Sequence, residues 1–183
     1  MINDLNILTE CYIDTNLLET LVPPVRGYNH QKGCNTVANV MKKQLNDKGA
    51  IALIDNDKRE INYIQEFERI ANTTSLSLFK HRNKPHFIIR IDPAIDDFIL
   101  KSAHDMDVDI TSFGLPDSLK DFTKITKQKT SKSEPKFKQL FNKIKSAEEV
   151  KVLTKWVKYL KENIYNADRD TLRNMVSQSN HEI

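Results

Sequence analysis

The stretch TECYIDTNLL, Thr9 to Leu18, follows an apolar run and leads into a helical pattern. Where the strand before it ends decides which acid stands at the edge of a sheet. If the strand stops at Glu10, the segment reads E-C-x-x-D, an acidic corner opening onto a helix. If it runs on to Asp14, Glu10 falls inside a buried strand and the segment ends in D-T-N. An unpaired carboxylate in a buried strand is costly or must be neutralised. The favoured reading therefore has LNILTE (5–10) as a short strand. A helix over 15–22 follows, with Asp14 or Thr15 as its N-cap, and Pro23-Pro24 stops it.

Outward from that corner, VRGYN (25–29) reads as a second strand and residues 35–45 as a helix with Val37, Val40, Met41 and Leu45 on one face. AIALID (50–55) is nearly all apolar, as a central parallel strand covered on both faces must be. EINYIQEFERIA (60–71) is amphipathic. SLSLFKH (75–81) and HFIIRID (86–92) read as strands around a hairpin-like turn, where His81 and His86 take structural or exposed positions. PAIDDFILKSAH (93–104) reads as a helix with Pro93 in its first turn. Strand and helix thus alternate over the first hundred residues. The expected fold is α/β, a mostly parallel, Rossmann-like sheet with helices on both faces. From Asp117 onward only helical patterns remain, interrupted by the breaker-rich TKQKTSKSEP, which reads as a flexible linker or exposed loop. The chain divides into an α/β core, 1–112, and a basic helical extension, 113–183.

Charge follows the same division. Residues 1–117 hold 13 Lys/Arg against 17 Asp/Glu, and residues 118–183 hold 15 against 8, so a net of −4 precedes a net of +7. Between Lys120 and Lys161 thirteen lysines are interleaved with Phe122, Phe137, Phe141, Trp156 and Tyr159. Lysine-rich helices can meet a phosphate backbone without reading sequence. Aromatics at helical spacing, however, are those of a packed face. With only four glycines there is neither a G-x-G-x-x-G nor a G-K-[ST] loop. Cys11 and Cys34 form no zinc spacing and suit a reducing, cytoplasmic setting. No segment has the apolar length of a membrane span.

In open α/β sheets ligands gather at the carboxyl ends of strands. There the sequence places Glu10 and Asp14 after the first strand, Asp55, Asn56 and Asp57 after the third, and Asp92, Asp96 and Asp97 after HFIIRI. Carboxylates brought together raise one another's pKa, and a divalent cation relieves them. An all-oxygen donor set favours Mg²⁺ or Mn²⁺ over zinc. His30 and Lys32, in YNHQKGCN, and Lys58, beside the Asp pair, are candidates to meet substrate phosphate.

Two motifs, E-C-x-x-D and, some 45 residues later, L-I-D-N-D, make residues 5–100 resemble a Toprim domain, as found in topoisomerases, primases and OLD-type nucleases. The resemblance implies a general acid/base at Glu10 and a Mg²⁺ (or Mn²⁺) site at Asp55 and Asp57, with Asp14 in the secondary acidic position. The family's usual Gly after the Glu is Cys11 here, so a bend that Gly favours must be made otherwise. A weaker resemblance joins Y-I-D-T-N-L-L to the PIN domain, where Asp14 would be the first metal ligand. A phosphatase-type D-x-D suits the sequence less, since Arg59 stands where Thr or Val is wanted. The expected function is Mg²⁺-dependent chemistry on phosphodiester bonds of DNA or RNA. The alternative is a non-catalytic adaptor for nucleic acid or a protein partner, and a homo-oligomer stays open.

Overall fold

The computed structural model describes residues 2–56 and 62–177. A 3-10 turn, Asp4–Asn6, leads into β1 (Ile7–Thr9), and α1 (Tyr12–Leu21), β2 (Asn29–His30), α2 (Cys34–Lys43) and β3 (Ala50–Asp55) follow. After a 3-10 turn over Asn62–Glu66 come β4 (Phe67–Asn72), β5 (Leu76–His81), β6 (His86–Ile91) and α3 (Ile95–Asp105). The remainder is helical: α4 (Leu119–Thr126), α5 (Pro135–Ile144), α6 (Glu148–Asn163) and α7 (Arg169–Ser177). The six strands form one sheet in the order β2-β1-β3-β6-β5-β4. The pairs β2–β1, β1–β3 and β3–β6 are parallel, while β5 runs antiparallel to both β6 and β4. The architecture is a Rossmann-like α/β sheet, as the alternation of patterns predicts.

Side chains along a strand alternate between faces, and here both faces are covered. Ile51, Leu53, Phe87, Ile89 and Ile91 point into one apolar core with α1, α3, α5 and α6. Ala50, Ala52, Ile54 and Ile88 point into the other with Val37, Val40 and Met41 of α2. That is why AIALID carries no polar alternation. Four aromatics of the helical region are packed residues: Phe122, Phe137, Phe141 and Trp156 are all fully buried, and the Trp156 indole N–H donates to the Leu172 carbonyl at 2.9 Å. These helices share one continuous core with the sheet.

Three local expectations are refined. The amphipathic segment before residue 72 ends as β4, with a bulge between Arg69 and Ala71; Phe67 packs into the α2 core and Ile70 and Ala71 into the other. TKQKTSKSEP is the largely exposed loop rather than the flexible linker: it forms a 3-10 turn, Lys129–Lys132, pinned to α1 by Asn16, whose Nδ2 donates to the Ser131 carbonyl at 2.7 Å. Pro93 stands before α3 rather than in its first turn, with Ala94 as N-cap and a cis Asp92–Pro93 bond.

Candidate active site

Because β1, β3 and β6 are parallel neighbours, their carboxyl ends lie side by side. The strand stops at Thr9, and Glu10 is the first residue beyond it. The strand does not reach Asp14, which lies in the first turn of α1. Asp14 is not the N-cap either. Cys11 is, and the Asp14 carboxylate reaches back to accept the Cys11 backbone N–H at 3.0 Å, the reciprocal half of a capping box. Cys11 has φ −134° and ψ 175°, ordinary extended backbone, so the turn needs no glycine.

The acids are wired to one another through backbone amides. The Asp55 N–H donates to Glu10 Oε2 at 3.0 Å, and Asp55 Oδ1 accepts the Ile95 N–H, at the start of α3, at 2.9 Å. The corner is therefore held from three sides, by β1, β3 and α3. Asn56, next along, donates through Nδ2 to Asp92 Oδ1 at 3.0 Å. Asp14 is 1% exposed and Asp96 7% exposed, and one oxygen of each, Oδ1, has no hydrogen-bond partner.

The electrostatics follow from this crowding. Burial, and then the charges of Asp55 and Glu10, push the Asp14 carboxyl well above the usual range, against the opposing hold of the Cys11 thiol and amide. Asp55 is pushed up to about 7 by burial and by Glu10, with Asp96 and Asp97 adding to it, while the Ile95 N–H works the other way. The Cys11 thiol is raised by burial and by Asp14, so it is no ready nucleophile.

The structure thus brings Glu10, Asp14 and Asp55 together. Asp57 and Lys58 lie outside the described residues. His30 stands at the end of β2, stacked on Tyr12 with ring centroids 4.2 Å apart and planes 8° apart. Burial and the charge of Lys132 hold its imidazole below the usual pKa. Lys32 is exposed in the turn after β2. That turn is fixed beside the corner, Gln31 N–H donating to the Thr9 carbonyl at 2.8 Å and Gly33 N–H to that of Glu10 at 3.3 Å. Lys132 and Tyr12 were not legible as site neighbours, because one sits in an apparent linker and the other reads as a plain helical residue. Asp96 carried only a faint signal, an acid in the first turn of a helix that follows a strand.

Whether a divalent cation fits can be judged from the donors. They are all oxygen, they repel one another, and the buried oxygen of Asp14 lacks a partner. Those features suit Mg²⁺ or Mn²⁺, which needs only one or two carboxylates besides water and substrate. Yet among the described residues no three acid, histidine or cysteine side chains close around a common point. No protein-family model matches the chain, and neither a curated protein nor a solved structure is significantly similar to it.

Proposed function

We propose that the carboxyl edge of the sheet is the active site of a Mg²⁺- or Mn²⁺-dependent enzyme that cleaves phosphodiester bonds in nucleic acid, and that the protein works in a reducing, cytoplasmic setting. The observation that carries this reading is Asp14: a fully buried carboxylate with an unpartnered oxygen, beside Asp55 and Glu10. Such a group is costly unless something completes it. Asp55 and Asp14 would hold the cation, whose charge would favour attack at phosphorus. Glu10, at the mouth of the corner, would move a proton. His30 and Lys32, on the turn tied to the Glu10 backbone, would face substrate phosphate. Both cysteines are free, which agrees with that setting.

A non-catalytic adaptor is the second reading. It draws on the use of Glu10 and Asp55 oxygens as acceptors for backbone amides, an arrangement that needs no cation. Calorimetric titration with Mn²⁺, followed by a nicking assay on plasmid and on RNA, separates the two. The enzyme reading expects binding that is lost in Asp55→Asn and nicking that is lost in Glu10→Ala and Asp55→Asn. Absence of binding in wild type, or nicking that survives both substitutions, would leave the adaptor.

A further inference from the structure

The turn between β5 and β6 reads K-H-R-N-K-P, Lys80 to Pro85, and lies at the end of the sheet opposite the acids. Lys80, Arg82 and Lys84 line a groove of about 310 Å³ there, and Ile164 and Tyr165, from the connection between α6 and α7, line its other side. Among the described residues no carboxylate lines it. Lys84 Nζ donates to the neutral Asn46 side chain, and Lys80 Nζ to the His81 carbonyl at 3.0 Å. The exposed Arg82 guanidinium makes no hydrogen bond or ion pair among the described residues. Nearby Arg169 is paired with Glu68. Burial, and then Arg169, hold the Lys80 ammonium below its usual pKa, while Glu68 works the other way.

The aromatic wall is fixed in place. Ile164 is 2% exposed and pressed against Gly49, where any Cβ would meet its Cγ2 at 2.5 Å. The Gly49 N–H donates to the Tyr165 hydroxyl at 3.0 Å. Tyr165 is nevertheless 61% exposed, a ring anchored by its hydroxyl and open to solvent. Cations without a carboxylate partner along one side of a groove and a held aromatic on the other are what single-stranded nucleic acid uses, phosphates on the former and a base on the latter. An acidic peptide would satisfy the cations but give the ring nothing to stack on.

We propose that this groove binds single-stranded nucleic acid, Lys80, Arg82 and Lys84 contacting phosphates and Tyr165 stacking on a base. The site is separate from the acidic edge and does not depend on metal-centred catalysis there.

The test is fluorescence anisotropy of the full chain with a labelled DNA or RNA strand of about twelve nucleotides. It is run in chelator over a series of salt concentrations, so a failed metal-centred reading leaves it untouched. Wild type should bind with a salt-dependent affinity. Lys80→Ala/Arg82→Ala/Lys84→Ala should lower the affinity at least about tenfold and reduce the slope of log K against log salt by about 2, three contacts at roughly 0.7 each. Arg82→Glu, at an exposed position, should weaken binding with an unchanged melting temperature. Tyr165→Ala should weaken binding at least about fivefold with the slope unchanged, and Tyr165→Phe, which keeps the ring, should stay within about twofold of wild type. Three results would overturn the proposal: no binding by wild type, a triple variant with wild-type slope, or displacement of the strand by polyglutamate or inorganic phosphate at equal charge concentration.

Discussion

At the amino end of β6, His81 and His86 are 3% and 0% exposed, and every ring nitrogen has a partner; at the carboxyl end, Asp14 and Asp96 are just as buried, and each keeps an oxygen with none. The histidine end is closed by donor and acceptor logic. His86 Nε2 lies 2.9 Å and 3.1 Å from the Leu45 and Lys48 carbonyls, so it carries the proton, and Nδ1 accepts the Tyr63 hydroxyl at 2.6 Å. His81 Nδ1 accepts the Asn83 and Lys84 amides, so its proton sits on Nε2, 3.0 Å from Glu66. At the acid end like charges share a corner and raise each other's pKa. At the histidine end the buried polar groups are matched one to one, whereas at the acid end Asp14 and Asp96 each keep an unmatched oxygen, which is what the proposed cation site would draw on.

The most forceful way to break this comparison is His86→Ala. It removes a fully buried ring and leaves the Tyr63 hydroxyl and two carbonyls unmatched. The expected loss is about 3–5 kcal/mol in urea unfolding. A loss under about 1 kcal/mol would mean that the histidine end is not the closed structural unit described.

The acid end should behave in the opposite way. Asp55 has a folded pKa of about 7 against an ordinary 3.8, so the native state binds more protons than the unfolded chain between those values. Its contribution to stability is then greatest below about pH 4 and is lost as pH rises towards 7. Asp55→Asn keeps an acceptor for the Ile95 N–H and removes the charge. Without divalent ions it should stabilise the protein at pH 8 by on the order of 2 kcal/mol, and by nothing near pH 4. Destabilisation at pH 8 would show that the Asp55 charge is matched after all.

The histidines carry the opposite sign. Burial holds both imidazoles below 6.5, so the native state binds fewer protons than the unfolded chain. Their contribution is complete above about pH 6.5 and is lost as pH falls from there through the folded values. In an Asp14→Asn/Asp55→Asn variant the acid contribution is gone, and melting temperature should fall only on the acid side of 6.5. The wild-type profile should be flatter there, since its acids gain what the histidines lose. Identical profiles would remove the electrostatic contrast between the two ends.

How much of this was legible depends on which physical signal each element leaves. β3 was read to its boundaries because a strand covered on both faces leaves an unbroken apolar run. The end of β1 followed from the cost of burying Glu10, and the structure stops the strand one residue earlier. β4 was hidden because its bulge breaks the two-residue alternation, and its buried Phe67, Ile70 and Ala71 fall at the spacing of a helix. The cap of α1 was hidden because an acid at the third helical position can bond the same end of the helix as a capping residue does, so Asp14 was credited with the work of Cys11. The Lys129–Lys132 turn was hidden because what holds it, the Asn16 bond across 115 residues, leaves no local trace. Glu10, Asp14 and Asp55 could be grouped from topology alone, since parallel strands present their carboxyl ends together. That Asp14 would be the buried, unmatched member could not, because α5 and the Lys129–Lys132 turn, which pack on α1, are distant in sequence.

The smallest expected effect sharpens the contrast most finely. Glu10→Gln keeps a side-chain oxygen for the Asp55 N–H, so stability should change by less than about 1 kcal/mol. What it removes is the charge that, after burial, does most to hold Asp55 up. The Asp55 carboxyl, followed by carbon-13 NMR through a pH titration, should therefore move down from about 7 towards the ordinary range, while the His81 and His86 titrations stay where they are. A stationary Asp55 would mean that burial alone sets its pKa, and that Glu10 and Asp55 share a hydrogen bond without sharing a field. A falling Asp55 with unmoved histidines would show that the two ends of the sheet are electrostatically independent, as their separation by the length of six-residue strands, about 20 Å, requires at ordinary ionic strength.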